Sequence, residues 1–153
     1  MIKKIMRHIS ALGTGFFSLI LIVFTYLNSQ EHLSTELLLL LIFITVIGEG
    51  IKFFHRKHRP DFDPKKRFDY FWPINKFAEI DEQSFPSLHV ARSAGLLVIL
   101  GSYFSLFYVQ LFLAILVLTI AVSRLYLKRH YIEDVAGGAI LGLMAAVVVL
   151  FFI

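Results

Sequence analysis

The sequence contains no cysteine, which excludes disulfide bonds and thiolate chemistry. Charged residues are also scarce, at 17% of the chain, whereas a soluble domain of this length carries about a quarter. Hydrophobic residues fill 58% of the 153 positions, and the mean hydropathy is +0.75. Apolar runs close to the length of a bilayer crossing, about 20 residues, recur along the chain. These proportions predict an integral membrane protein.

The N-terminal segment, residues 1–10, is basic and mildly amphipathic, which predicts a helix lying in the membrane interface. Lys3, Lys4 and Arg7 precede an apolar stretch, as in a signal peptide. The bulky residues 25–27 do not form a small-residue cleavage site, so we interpret the stretch as a retained anchor.

Five apolar stretches follow with the composition of membrane spans: residues 11–27, 37–54, 90–104, 106–122 and 135–153. A polar loop, residues 28–36, separates the first two. Residues 55–85 form the only substantial water-exposed segment. Three prolines in this segment oppose a long helix, namely Pro60, Pro64 and Pro73. Its aromatic residues suit the lipid headgroup layer, and they are Phe68, Tyr70, Phe71 and Trp72. The predicted fold is an all-α polytopic bundle of about five transmembrane helices plus an N-terminal interfacial segment, in one domain covering residues 1–153.

Five spans place three polar clusters at the same membrane face. The clusters are Lys52 to Arg59-Pro60, then Pro86-Ser87-Leu88-His89, and then Ser123-Arg124 through His130 to Asp134. Cations beside a membrane span are costly unless they serve a function. Lys52, Arg59 and Arg124 would surround one point with positive charge, which suits a phosphate.

His89 and His130 divide naturally into an acid and a nucleophile. Asp134 lies four residues after His130, so both side chains would share one face of a helix. A carboxylate bound to one imidazole nitrogen fixes the tautomer and leaves the other nitrogen available for chemistry.

The three clusters resemble, in order and spacing, the signature of the type 2 phosphatidic acid phosphatase (PAP2) superfamily. That signature reads lysine, six residues, Arg-Pro; then Pro-Ser-Gly-His; then Ser-Arg, five residues, histidine, three residues, aspartate. Leu88 departs from it, because it stands where the family has glycine. Family members also commonly have six spans, one more than we count.

The resemblance implies a metal-independent lipid phosphatase without a cofactor. His130 would attack phosphorus to give a phosphohistidine, Asp134 would orient His130, and His89 would protonate the leaving oxygen. The groups implied to bind the phosphoryl oxygens are Lys52, Arg59, Arg124, Ser123, Ser87 and the Leu88 amide. The implied partners are the bilayer and a membrane lipid phosphate, with no nucleic acid. Substrate candidates are undecaprenyl pyrophosphate, phosphatidylglycerol phosphate, phosphatidic acid and lipid A 1-phosphate.

Other interpretations of the same residues stay open. Lys52 and Arg59 would also serve as anchors that snorkel to the interface, and His130 with Asp134 as a helix-start pair. Arg92 lies one turn after His89, where it would face the site. His55 and His58 invite a metal site with His89. Arg56, Lys57, Lys65, Lys66 and Arg67 predict a basic surface facing lipid headgroups.

Function and orientation also have alternatives. A phosphotransferase on the same scaffold, or a non-catalytic lipid-binding or transport protein, would use the same charged face. The positive-inside rule places that face in the cytoplasm. Resemblance to bacterial lipid phosphatases instead implies a multi-pass protein of the bacterial inner membrane, with the active site on the extracytoplasmic face.

Overall fold

The computed structural model describes residues 1–62 and 82–152. Within these ranges the chain forms no strand, and it forms the helices α1 (Ile2–Ala11), α2 (Gly15–Leu27), α3 (Glu31–His55), α4 (Leu88–Tyr103), α5 (Phe107–Tyr126) and α6 (Ile132–Phe152). This confirms the all-α prediction. Several residues of the predicted water-exposed segment lie outside the described ranges: Pro64, Lys65, Lys66, Arg67, Phe68, Tyr70, Phe71, Trp72 and Pro73.

Three of these helices are long and apolar enough to cross a membrane, namely α3, α5 and α6, with mean hydropathies of 2.3, 2.0 and 2.6. Helices α1 and α2 meet the same criterion only as a pair bent by 48°. Helix α4 is apolar but has 16 residues, which at 1.5 Å per residue is about 24 Å and short of a bilayer core. The described helices therefore give three spans, or four with the bent pair, rather than five.

The bend between α1 and α2 corrects the first predicted span, residues 11–27. Thr14 caps α2, since its side-chain oxygen accepts a hydrogen bond from the Phe17 N–H at 3.3 Å. The apolar run therefore starts a new helix at Gly15, and residue 11 still belongs to the interfacial helix α1.

Residues 31–36, predicted as part of a polar loop, instead form the first turns of α3. Two of their polar side chains, those of His32 and Glu36, take part in contacts within the bundle. The His32 Nδ1 atom lies 2.8 Å from the Tyr103 hydroxyl and 3.2 Å from a carboxylate oxygen of Glu36, whose side chain is buried. These contacts join the start of α3 to the end of α4, at the opposite end of α3 from Lys52.

Helices α4 and α6 approach each other closely because α6 carries glycine where they meet. A Cβ atom at Gly138 would collide with the Ser87 carbonyl, and one at Gly142 with the Ala91 carbonyl. At the same end of α6, the Ser87 N–H donates to the Asp134 carbonyl at 2.9 Å. The second and third polar clusters are thus joined through backbone contacts.

Candidate active site

The three clusters predicted from the sequence come together at one end of the bundle. Lys52 lies in the last turn of α3, Ser87 caps α4, and Arg124 lies in the last turn of α5. His130 precedes α6, and Asp134 lies in its first turn. All the predicted site side chains except the half-buried His89 are buried: Lys52, Arg59, Ser87, Leu88, Ser123, Arg124, His130 and Asp134.

Two hydrogen bonds fix the orientation and the tautomer of His130. Its Nδ1 atom lies 2.7 Å from the Ser84 carbonyl oxygen, and its Nε2 atom lies 3.3 Å from an Nη atom of Arg124. A carbonyl can only accept and a guanidinium can only donate. We therefore assign the proton to Nδ1, which leaves the lone pair of Nε2 on the side of Arg124.

Asp134 contacts His130 less directly than the sequence predicts. Its Oδ2 atom lies 4.0 Å from His130 Nδ1 and accepts a hydrogen bond from the Tyr131 N–H at 2.8 Å. His130 also lies in the connection before α6, so the prediction that both side chains share a helix face was wrong. A backbone carbonyl, that of Ser84, makes the contact with Nδ1 that was expected of the carboxylate.

Lys57, predicted to face lipid headgroups, instead pairs with the third cluster. Its ammonium donates to Asp134 Oδ1 at 2.6 Å and to Glu133 at 2.8 Å. Burial alone would lower the pKa of Lys57, but the hydrogen bonds to the two carboxylates outweigh burial and raise it. Arg56 ends α3 in the left-handed conformation, with φ of 47°, so the chain changes direction immediately before Lys57.

Arg124 is held from the N-terminal helix, a contact that sequence analysis missed. One of its Nη atoms donates to the hydroxyl of Ser10 at 2.6 Å, and both side chains are buried. Ser10 lies seven residues after Lys3, on the same face of α1, and this spacing is the only signal that the sequence offers. The interfacial segment thus contributes a residue to the site.

Leu88 does not narrow the site, although it replaces the family's glycine. Its side chain belongs to the buried apolar core and lies over Gly48 of α3. Among the described residues, the buried hydroxyl of Ser87 has no hydrogen-bond partner. Ser123 donates to the Ile120 carbonyl at 2.6 Å, within its own helix. The Ser87 hydroxyl is therefore available as a donor in this part of the site, whereas that of Ser123 is not.

The charges around His130 act on its titration. Burial, followed by the nearby guanidinium groups of Arg124 and Arg59, lowers the pKa of His130 to about 3. The imidazole is therefore neutral at physiological pH, the form in which Nε2 is a nucleophile.

The two histidines of the alternative metal interpretation, His55 and His58, do not converge with His89. The His55 ring lies 4.9 Å from that of Phe85, and the His58 ring stacks at 3.9 Å on that of Phe62. In the described part of the chain, no three histidine or carboxylate side chains are grouped as metal ligands. Arg92, expected to face the site, directs one Nη atom to the Thr45 hydroxyl of α3 at 3.4 Å, while its charge still acts on the His89 imidazole and helps to lower the pKa of that ring.

The chain is similar in sequence to known phosphatases. It is 27% identical over 141 residues to sphingosine-1-phosphate phosphatase 2 of Mus musculus, and this alignment covers 88% of the chain and 38% of the relative. It is 40% identical over 58 residues to lipid A 4'-phosphatase of Bacteroides thetaiotaomicron, covering 38% of the chain and 26% of the relative. The chain thus spans well under half of these curated relatives.

Solved structures share the fold over almost the whole chain. Aquifex aeolicus LpxE superposes with a TM-score of 0.79 at 23% identity, covering 99% of this chain and 86% of that one. The transmembrane PAP2-type phosphatidylglycerolphosphate phosphatase of Bacillus subtilis gives 0.73 at 26% identity, covering 99% and 76%. The sequence profile of the PAP2 superfamily matches residues 33–153, which contain all three clusters. The chain belongs to the PAP2 superfamily.

Proposed function

We propose that the chain, as one domain covering residues 1–153, is a membrane lipid phosphatase that works through a phosphohistidine. The relatives described above are named as phosphatases of sphingosine-1-phosphate, lipid A and phosphatidylglycerolphosphate. The observation that carries the proposal is the arrangement around His130. Its Nδ1 atom is held by a carbonyl, and its Nε2 lone pair faces a guanidinium suited to a phosphoryl oxygen.

In the proposed reaction, Nε2 of His130 attacks phosphorus and the bond from phosphorus to the leaving oxygen breaks. Burial and the guanidinium groups of Arg124 and Arg92 lower the pKa of His89 to about 2 in the unliganded protein, so the proton arrives with a monoanionic substrate phosphate. His89 passes this proton to the leaving oxygen, and water then hydrolyses the phosphohistidine to inorganic phosphate. The imidazole ring gains positive charge when Nε2 bonds to phosphorus. The Asp134 carboxylate, 4.0 Å from Nδ1, stabilises that charge. No metal or cofactor enters the mechanism that the family resemblance implies.

The phosphoryl group would be bound by buried cations and by the start of α4. Lys52, Arg59 and Arg124 are all buried, and their charges favour the oxygens of a phosphoryl transition state. Ser87 is the N-cap of α4, so the Leu88 amide is among the first N–H groups of that helix, which lack intrahelical acceptors. The free Ser87 hydroxyl supports the same assignment. Ser123 would support the end of α5.

The lipid chains of the substrate would stay in the bilayer while its headgroup reaches the charged end of the bundle. Undecaprenyl pyrophosphate, phosphatidylglycerol phosphate, phosphatidic acid and lipid A 1-phosphate are the candidates. We place the protein in the bacterial inner membrane with the site on the extracytoplasmic face. The positive-inside count argues otherwise, but Lys3 and Arg7 line a cavity at the site, so their charge has a use there on either side of the membrane.

The test is phosphate release by the detergent-purified protein over a panel of these lipids, with a chelator present and with His130→Ala beside the wild type. Release by the wild type alone, unaffected by the chelator, is the expected result. Equal release by His130→Ala would refute the mechanism. A phosphorylated lipid acceptor in place of free phosphate would identify a transferase. Absence of turnover with retained lipid binding would favour a non-catalytic protein.

A further inference from the structure

A cavity of about 370 Å³ opens beside the candidate active site. Its lining includes His89 and Arg124 of the site itself, together with Lys3 and Arg7 from α1 and Arg129 from the α5–α6 connection. The volume lies within the range of small-ligand pockets, about 300–1,000 Å³. Of these lining residues, the proposed mechanism uses His89 and Arg124 but not Lys3, Arg7 or Arg129.

Helix α1 presents its cationic face to this cavity. Lys3, Arg7 and Ser10 line the cavity at the spacing of one helix face, whereas Met6 and Ile9 line an apolar hollow shared with α5. The hydrogen bond from Arg124 to the Ser10 hydroxyl fixes the rotation of α1 about its axis. Lys3 and Arg7 are therefore directed to the site by packing, and not only by their position near a membrane surface.

Within the described part of the chain, the cavity lining has more basic than acidic side chains. Asp61 is the only acidic residue among the described residues of the lining, and its carboxylate lies 3.5 Å from the Nε atom of Arg129. Among the described residues, no carboxylate lies within ion-pair distance of Lys3 or Arg7. Two cations on adjacent turns of one helix, one of them a guanidinium, form a suitable site for a phosphate.

The position of the two histidines indicates which part of a substrate would enter. In an in-line displacement the attacking and leaving groups lie on opposite sides of phosphorus. His89, the proposed donor to the leaving oxygen, lines the cavity, whereas the proposed nucleophile His130 does not. The leaving group is therefore on the cavity side.

We infer, on the basis of the proposed function, that Lys3 and Arg7 form a second anion subsite that binds a phosphate carried by the leaving group. The preferred substrate class is then a lipid with two phosphates, as a pyrophosphate or as a headgroup phosphorylated at two positions. When the bond to the scissile phosphorus breaks, the leaving group retains the second phosphate and takes up the proton from His89.

The kinetic test compares lipids with one and two phosphates in the double variant Lys3→Gln/Arg7→Gln. We expect kcat/KM to fall about tenfold, mainly through KM, for a polyprenyl pyrophosphate, for a bisphosphorylated glycolipid, or for both. The lipid that is affected identifies the source of the second phosphate. For phosphatidic acid, which has one phosphate, the change should stay below about twofold.

The matched control is Lys4→Gln/Lys128→Gln, which removes the same charge from two exposed residues that do not line the cavity. It should leave all these rates near wild type. An equal loss for every lipid, or the same loss in the control, would show that Lys3 and Arg7 only attract the bilayer surface or anionic lipid in general. Either result would overturn the inference.

A binding measurement separates the inference from the proposed function. By calorimetry, the wild type should bind methylenediphosphonate more tightly than methylphosphonate, and Lys3→Gln/Arg7→Gln should reduce this preference about tenfold. An unchanged preference would overturn the subsite. Neither ligand is hydrolysed, so this result decides the inference even if no lipid is turned over, an outcome that would refute only the proposed phosphatase.

Discussion

The ammonium group of Lys57 lies 2.6 Å from Oδ1 of Asp134, a residue that is 0% exposed. The other oxygen of the same carboxylate accepts the Tyr131 N–H at 2.8 Å. A buried carboxylate is tolerated only when its charge is paired and its oxygens are hydrogen-bonded. Lys57 therefore helps to hold the chain that carries His130, although it occupies one of the six unspecified positions of the first motif.

Replacing Lys57 by Met should leave Asp134 with a buried and unpaired charge. We expect the free energy of unfolding to fall by about 1–3 kcal/mol, below the full cost of breaking a buried pair because Lys57 is partly exposed. Lys57→Arg should retain most of the stability. Denaturation in detergent measures both, with the exposed Lys4→Met as the control. A loss no larger than that of Lys4→Met would contradict the pairing.

The depressed pKa of His130 predicts how stability changes with pH. The pKa is about 3 in the folded protein, against an ordinary value of 6.5. Between these values the unfolded chain binds more protons, so stability is full above about pH 6.5 and falls as the pH drops toward 3. His130→Asn removes this titration while keeping a donor for the Ser84 carbonyl.

Lowering the pH from 7 to 5 should therefore destabilise the wild type more than His130→Asn, as measured by thermal unfolding at the two pH values. The difference should be on the order of 1–2 kcal/mol. Parallel pH profiles for the two proteins would mean that His130 titrates near its ordinary value in the fold.

The long helices could be predicted from composition, because each buries or exposes to lipid an almost continuous apolar run. Near the site, α3 ends at His55, against a predicted residue 54, whereas α5 continues to Tyr126 rather than residue 122 and α6 starts at Ile132 rather than residue 135. The sequence did not predict the bend after α1 or the polar start of α3. The bend has a local signal, the Thr14 cap of α2, which was not recognised. The polar start of α3 depends on a distant partner, because His32 meets a residue 71 positions away.

Motif spacing predicted which cationic residues and histidines meet, but not how they contact one another. His130 is held by the Ser84 carbonyl, which is a backbone group. Every residue has a backbone carbonyl, so the sequence does not indicate which one makes this contact. In the sequence, Lys57 cannot be distinguished from its basic neighbours. Its contact with Asp134 depends on the left-handed conformation of Arg56, which changes the direction of the chain just before Lys57. The effect of Leu88 could not be predicted because it depends on which residue of α3 lies opposite, and that residue is Gly48.

The contact between Ser10 and Arg124 predicts that the N-terminal helix affects activity. Ser10→Ala removes the acceptor of a buried charge-assisted hydrogen bond, so Arg124 should be less well positioned and kcat/KM should fall about five- to tenfold. Ser18→Ala is the matched control, because Ser18 is also buried but bonds only within its own helix, to the Thr14 carbonyl at 3.3 Å. Equal rates for the two variants would refute this role.

Orientation in the membrane can be tested directly because the chain has no cysteine. Lys128→Cys places an exposed thiol at the end with the active site, and Ser105→Cys places one at the opposite end. A membrane-impermeant maleimide added to intact bacterial spheroplasts should label Lys128→Cys and spare Ser105→Cys until the cells are lysed. The reverse pattern would place the site in the cytoplasm, as the positive-inside rule predicts.

Leu88 and Gly48 form a complementary pair, since a side chain at Gly48 would collide with Leu88. Gly48→Leu alone should overpack the contact between α3 and α4, and Leu88→Gly alone should leave a cavity in the core, costing about 2–5 kcal/mol. The double variant Gly48→Leu/Leu88→Gly restores the family's glycine and refills the space from the other helix. Its loss of unfolding free energy, measured by denaturation, should be smaller than the sum of the two single losses by about 1–3 kcal/mol. Additive losses would mean that the two residues do not pack against each other, and that the Leu88 side chain does not fill the space over Gly48.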